Sequence, residues 1–301
     1  FLFLRGKQWP VNLAYFEQQP VLFAWVSYFS PDLNAQELVQ DARTLSQDES
    51  LGGNEAQREA RLARLRTITR ALNWVGYIAA AGGFLSAMSF VGARILQLAI
   101  PVLVLLPAVM LWLALNHRGH VRLDYKEGTP YPELLTGWMA CSLSLGLIGL
   151  LDPHTLLGNE FQQWLLPLAA AVSAACIYIE LKPLRALLSK QWLHAVLAIC
   201  SYVFLASFWV GGSVYQVNQQ LDRSLVRWGL TVVVSKRTES QKTGTAYYLK
   251  VAPWEGLARD NIELTVTAEN YAAFNAGMPI LVGVHDGALQ IPWVGAVQAP
   301  G

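Results

Sequence analysis

Long stretches without a charged residue are the feature that most restricts what this chain can become. Ala71–Ala93 carries no charge, Arg94 interrupts, and Ile95–Asn116 is uncharged again. At 1.5 Å per residue each stretch is about 33 Å long, enough to cross a hydrocarbon core of roughly 30 Å. Leu134–Leu151 lies between Glu133 and Asp152, and Phe161–Ile179 between Glu160 and Glu180. A final stretch runs from Gln191 to Asp222 without an acidic or basic residue. The expected fold is therefore an α-helical integral membrane bundle of about five transmembrane helices, near 72–91, 96–115, 134–151, 161–179 and 192–213.

Composition agrees. Of 301 residues, 53% are hydrophobic and only 14% are charged, where a soluble domain carries about a quarter. The net charge of +1 offers no basic field for phosphates, so nucleic acid is not an expected partner. The longest apolar run near the start, Val21–Phe29, is too short to span and is followed by no cleavage pattern. Cys141, Cys176 and Cys200 all fall within expected membrane helices. That placement excludes a disulfide framework and suits small packing residues better than a thiolate metal site.

Basic residues set an orientation. Arg58, Arg61, Arg64, Arg66 and Arg70 precede the first span; Arg118, Arg122 and Lys126 follow the second; Lys182, Arg185 and Lys190 follow the fourth. The other side carries Arg94, Arg223 and Arg227. The N-terminus is expected in the cytoplasm and the C-terminal domain outside, in the periplasm if the cell is Gram-negative.

Residues 1–70 read as a cytoplasmic N-terminal region with amphipathic helices. One begins near Asn34, with Glu37 completing a capping box. A second, about Asn54–Arg70, follows the break at Gly52-Gly53 and aligns Leu62, Leu65, Ile68 and Leu72 on one face. Its five arginines are candidate lipid-headgroup contacts, although a plain juxtamembrane anchor explains them as well.

Beyond the fifth span, Val214, Val217, Leu221 and Leu225 continue a helical stripe, so residues 215–228 are expected to form a helical stalk. From residue 229 the period changes. Leu230–Lys236, Ala246–Ala252, Ile262–Thr267 and Ile280–His285 are short and β-branched, which predicts a small all-β barrel or sandwich domain over 229–301.

Tyr247-Tyr248-Leu249, Ala252-Pro253-Trp254 and Gly287-Ala288-Leu289-Gln290-Ile291-Pro292-Trp293 resemble the closing domain of a family of uncharacterised bacterial multi-pass inner-membrane proteins. The Asn218–Leu225 stretch and the Arg118-Gly119 loop fit the same pattern, so the resemblance covers residues 116–293. The family has Gly-Asp before its last long strand, whereas Gly277 here precedes Met278-Pro279. The resemblance implies an architecture and a membrane, not an activity. Within these motifs Tyr247, Tyr248, Trp254 and Trp293 are candidate interaction residues of this chain.

No nucleophile with a base, paired carboxylates or phosphate loop emerges. His117 and His120, with Asp124 or Glu127, could in principle ligate a metal, but a solvated basic loop is the better reading. No cofactor is expected. Pro101 and Pro107 in span two and Pro167 in span four are read as kinks. Ala79–Gly83, Ser142/Gly146, Ala170/Ala174 and Ala171/Ala175 offer small faces for close packing or for a homo-oligomer. The expected function is non-catalytic: binding of a protein partner by the exterior domain and bundle, as a sensor, accessory subunit or toxin-immunity protein. A transporter or channel subunit using the kinked spans is the alternative.

Overall fold

A computed structural model describes residues 2–4, 7–9, 33–88, 93–124, 129–151, 155–157, 160–241, 244–254 and 261–300. The chain divides into two compact units, Phe1–Thr67 with Lys126–Pro132, and Ile68–Tyr125 with Glu133–Gly301.

The first unit contains the short hairpin β1 (Leu2–Leu4) and β2 (Lys7–Trp9), then α1 (Leu33–Gln47) and the start of α2 (Glu55–Ala87). Asn34 lies inside α1 and not at its cap. Asp48 Oδ1 accepts from the Ser50 amide, and Asn54 Oδ1 accepts from the Gln57 amide while Gln57 Oε1 accepts from Gly53. These side chains satisfy donors that a helix start leaves without partners. Leu45, Leu51, Leu62 and Tyr131 form a small core.

The helical part of the second unit comprises the remainder of α2, α3 (Ala93–Asn116), α4 (Leu135–Leu151), α5 (Glu160–Ile179), α6 (Leu181–Lys190) and α7 (Trp192–Gln220). Three of these are long and apolar enough to cross a membrane: Arg94–Asn116, Glu160–Ile179 and Trp192–Gln220. The expectation of five is therefore corrected. Helix α4 is apolar but has 17 residues, about 25 Å at the helical rise. The expected first span is the last part of the 33-residue α2. Its Asn73, its glycines and its alanines dilute the apolar character there.

Small and polar residues allow these helices to approach closely. Ser144 Oγ donates to the Ala80 carbonyl at 3.0 Å, and the Gly137 amide donates to Asn73 Oδ1 at 3.1 Å. Asn73 Nδ2 in turn donates to the Glu133 carbonyl at 3.0 Å. A Cβ on Gly212 would lie 2.6 Å from the Leu145 carbonyl oxygen, so α4 and α7 meet backbone to backbone. Pro101, Pro107 and Pro167 sit within continuous helices, and the Trp209 indole of α7 donates to Val104 of α3.

The β part is an antiparallel sheet with strand order β3-β8-β7-β4-β5-β6. Its strands are β3 (Thr155–Leu156), β4 (Arg227–Gln241), β5 (Gly244–Val251), β6 (Ile262–Val266), β7 (Pro279–His285) and β8 (Trp293–Gln298), with the short helix α8 (Ala268–Ala273) after β6. Strand β4 is long enough to serve both halves: Arg227–Val232 pairs with β7 and Val233–Gln241 with β5, with a bulge between Val233 and Ser235. A bulge bends and twists a strand, and the sheet curls until β6 and β8 line one cleft of about 230 Å³. Val233, Leu249, Val251, Leu264, Ile280, Val282 and Val284 fill the near-closed barrel. Helix α7 ends at Gln220 and β4 begins at Arg227.

Candidate functional site

Two polar sites stand out against the apolar background, one at each end of the helical part. The first joins the end of α7 to the loop between β7 and β8. Asn218 is completely buried, and its three polar groups all serve that loop. Its Nδ2 donates to the Ile291 carbonyl at 2.8 Å, its Oδ1 accepts from the Leu289 amide at 3.0 Å, and its carbonyl accepts from the Ala288 amide at 3.0 Å. One turn on, Asp222 has a side chain only 4% exposed. Its Oδ2 accepts from the Trp293 indole at 2.9 Å and from the Gly287 amide at 3.2 Å, while Oδ1 accepts from the Ser224 amide at 2.8 Å.

His285 stacks on Trp293, with ring centroids 4.4 Å apart, and its Nδ1 lies 3.7 Å from Asp222 Oδ2. The Asp286 amide donates to Ser224 Oγ, and Arg227 pairs with the Asp286 carboxylate. Burial alone would push the Asp222 carboxyl up; the hydrogen bonds from Ser224, Trp293 and Gly287 outweigh it and hold the group below its usual range. Gly287 has φ +77°, and a Cβ there would collide with the Asn218 amide. This position needs glycine for both conformation and space.

The same loop inserts Ile291, fully buried, among Ala169, Val210 and Val214 of the helices. Alongside it, β3 from the α4–α5 connection pairs with β8, the Leu157 amide donates to the Pro292 carbonyl, and Leu157 enters the β core. The β domain is thus clasped to the helical bundle at four places: Asn218, Asp222, Ile291 and Leu157. The Gly287–Trp293 motif forms the loop side of that clasp.

Of the expected interaction residues, Trp254 is buried in the β core over Gly229, and the Trp293 indole is committed to Asp222. Tyr247 and Tyr248 are half-buried on opposite faces of β5. Tyr247 packs on Tyr271, over which the Lys236 ammonium sits at 4.3 Å. Tyr248 lies under the Arg237 guanidinium, 4.8 Å away, and Arg237 also pairs with Glu263 and Glu239.

The second site is at the α5–α6 junction. Glu180 is 2% exposed and its Oε1 accepts from the Leu123 amide at 2.6 Å. It therefore turns inward, whereas the sequence alone suggests a helix-end residue reaching for Lys182. Burial, then the neighbouring Asp124, push its carboxyl up to about 7 against the pull of the Leu123 amide and Arg122. Glu133 is raised for the same two reasons. Nearby, Arg118 covers the Tyr178 ring at 3.7 Å.

Three of the five candidate headgroup arginines make contacts within the first unit. Arg58 donates to Gly52, Arg61 to Ser50, and Arg66 twice to Pro130. Arg64 and Arg70 are exposed. Among the described residues no group of three His, Cys, Asp or Glu is placed to hold a metal ion.

Neither the protein-family models, the curated proteins nor the solved structures give a match to this chain. The functional reading therefore rests on the sites themselves.

The sequence shows Asn218, Asp222 and His285 only as polar residues flanking an apolar stripe. One signal could have found them: the turn residues Asp286-Gly287 before an apolar Leu-x-Ile-Pro-Trp run, which needs somewhere to bury its isoleucine.

Proposed function

We propose that this chain is a membrane-anchored binding protein that presents its β domain, as a fixed platform, to a protein partner outside the cytoplasmic membrane. The clasp at Asn218 and Asp222 is the observation that carries the reading. A domain held on a flexible tether would not need a fully buried asparagine, a nearly buried aspartate and an inserted isoleucine to fix its attachment. The bilayer placement is supported by three helices long and apolar enough to span it. We place the N-terminus inside and the C-terminus outside, the orientation that the arginine and lysine bias favours, in the bacterial inner membrane that the family resemblance implies.

The docking face we assign is the outer face of β4 and β5 that carries Tyr248 and Arg237, which pair across the two strands; Tyr247 lies on the opposite face, against Tyr271. Tyrosine and arginine dominate the energetics of protein interfaces because they bury much area at small entropic cost. Sensor, accessory subunit and toxin-immunity protein are versions of this role that differ only in the partner.

Removing the β domain is a poor test, because Ile291 and Leu157 tie it to the helices. A photo-crosslinking residue at Tyr248 in the full chain in living cells tests it better. A discrete protein adduct that disappears with Arg237→Glu is the expected result. Adducts no more specific than those from a probe at Leu225, which is 88% exposed, would remove this face as the docking surface.

A further inference from the structure

Among the described residues the helices leave an apolar cleft of about 390 Å³ at the end of the bundle nearest the β domain. It is walled by Gly146, Gly149 and Leu150 of α4, by Phe161 and Leu165 of α5, and by Phe208 and Gly211 of α7. Four glycines line it, but they are of two kinds. Gly146 and Gly212 are explained by packing: a Cβ on either would run into Phe208 or the Leu145 backbone. Gly149 and Gly211 are not. Their nearest neighbours would be 3.7 Å (Tyr215) and 3.5 Å (Leu165) from an added Cβ, which is ordinary contact. Glycine within a helix costs about 1 kcal/mol relative to alanine, and at these two positions what it preserves is space.

We propose that this cleft binds one hydrocarbon chain of a bilayer phospholipid. The inference rests on the bilayer placement of α4, α5 and α7. Water is poorly accommodated, because the walls are apolar and the Ser207 hydroxyl already donates to the Val203 carbonyl. A second helix is too large: it is about 10–12 Å across, and the α4 wall is only about one turn high. A hydrocarbon chain suits a cleft of this size and apolar lining. It also has a way in, since Leu150 at the rim is 72% exposed and continues the cleft onto the outer surface. Helix α4, at about 25 Å, is shorter than the roughly 30 Å core, so chains beside it must bend or be accommodated.

The test uses the full chain in phosphatidylcholine liposomes in which a fraction of the lipid carries a diazirine in mid-chain. After illumination, adducts are mapped by mass spectrometry. Exposed Leu98 and Leu105 of α3 report ordinary lipid contact. Adducts on 146–150 and 207–215 in excess of those controls are expected, and the excess is lost in Gly149→Leu and Gly211→Leu while labelling at Leu98 and Leu105 persists. Gly149→Ala adds a single carbon, retains the fold and reduces the excess in part. Labelling at the cleft no greater than at the controls would overturn the proposal. So would efficient disulfide formation between two Gly149→Cys copies, which would place a second copy there. Absence of adducts at Leu98 and Leu105 would instead remove the membrane placement, and the proposal with it.

Discussion

At the residue scale, the two buried carboxyls respond to pH in opposite directions. Asp222 is held below its usual value by donors that need its charge, so the folded state binds its proton less readily than the unfolded one. Its stabilisation is complete above the usual carboxylate range and is lost as pH falls through the folded value. Asp222→Ala leaves the Trp293 indole and the Gly287 and Ser224 amides without their acceptor, at about 1–3 kcal/mol for each donor left buried. Thermal unfolding of the purified protein at neutral pH should show the loss, with Asp222→Asn intermediate because one acceptor oxygen remains. Glu180 is pushed up to about 7 from a usual 4.5, so the folded state holds its proton more tightly. Stability should then fall as pH rises between those values. Glu180→Gln should flatten that slope and unfold at a higher temperature than the parent at pH 8. An unchanged slope in the variant would show that Glu180 is not the group responsible.

At the element scale, helix packing depends on positions where any side chain is too much. Gly212 meets the Leu145 backbone and cannot be relieved by rotating a flexible side chain. Gly212→Ala should force α4 and α7 apart, costing about 1–3 kcal/mol as overpacking does, and this is readable as a lower unfolding temperature in detergent. Gly287→Ala adds backbone strain to a collision with Asn218 and should weaken the clasp. Increased hydrogen exchange in 286–292, with β5 unaffected, is the expected signature. These effects belong to pairs of elements, and no single helix contains the information. Leu62 and Leu65 are the contrasting case, since their burial follows from helical period alone.

At the scale of the whole molecule, the clasp makes the β domain a continuation of the bundle, so the side of the membrane it occupies follows the orientation of α7. A reporter active only outside the cytoplasm, fused after Gln298, should give signal, and the same reporter fused before α1 should not. A cytoplasmic C-terminus would reverse the proposed orientation and place the Tyr248–Arg237 face before a different set of partners.

Sequence periodicity and charge determined the helices at 93–116, 135–151, 160–179 and 192–220, the change of period near 229 and most of the strands that follow, because each depends on residues close together in the chain. Span number was less legible. Residues 71–87 are uncharged, yet they continue a helix that begins at Glu55, and among the described residues three helices are both long and apolar enough to cross. The two-residue strand β3 was hidden in an expected loop, since nothing within Thr155-Leu156 signals its pairing with Val294 and Trp293. Asn218, Asp222 and Glu180 acquire their roles from partners about 57 to 73 residues away. Local pattern sets which segments bury apolar surface. Which polar groups are buried with them, and which donors they must satisfy, was decided only when the tertiary structure brought those segments together.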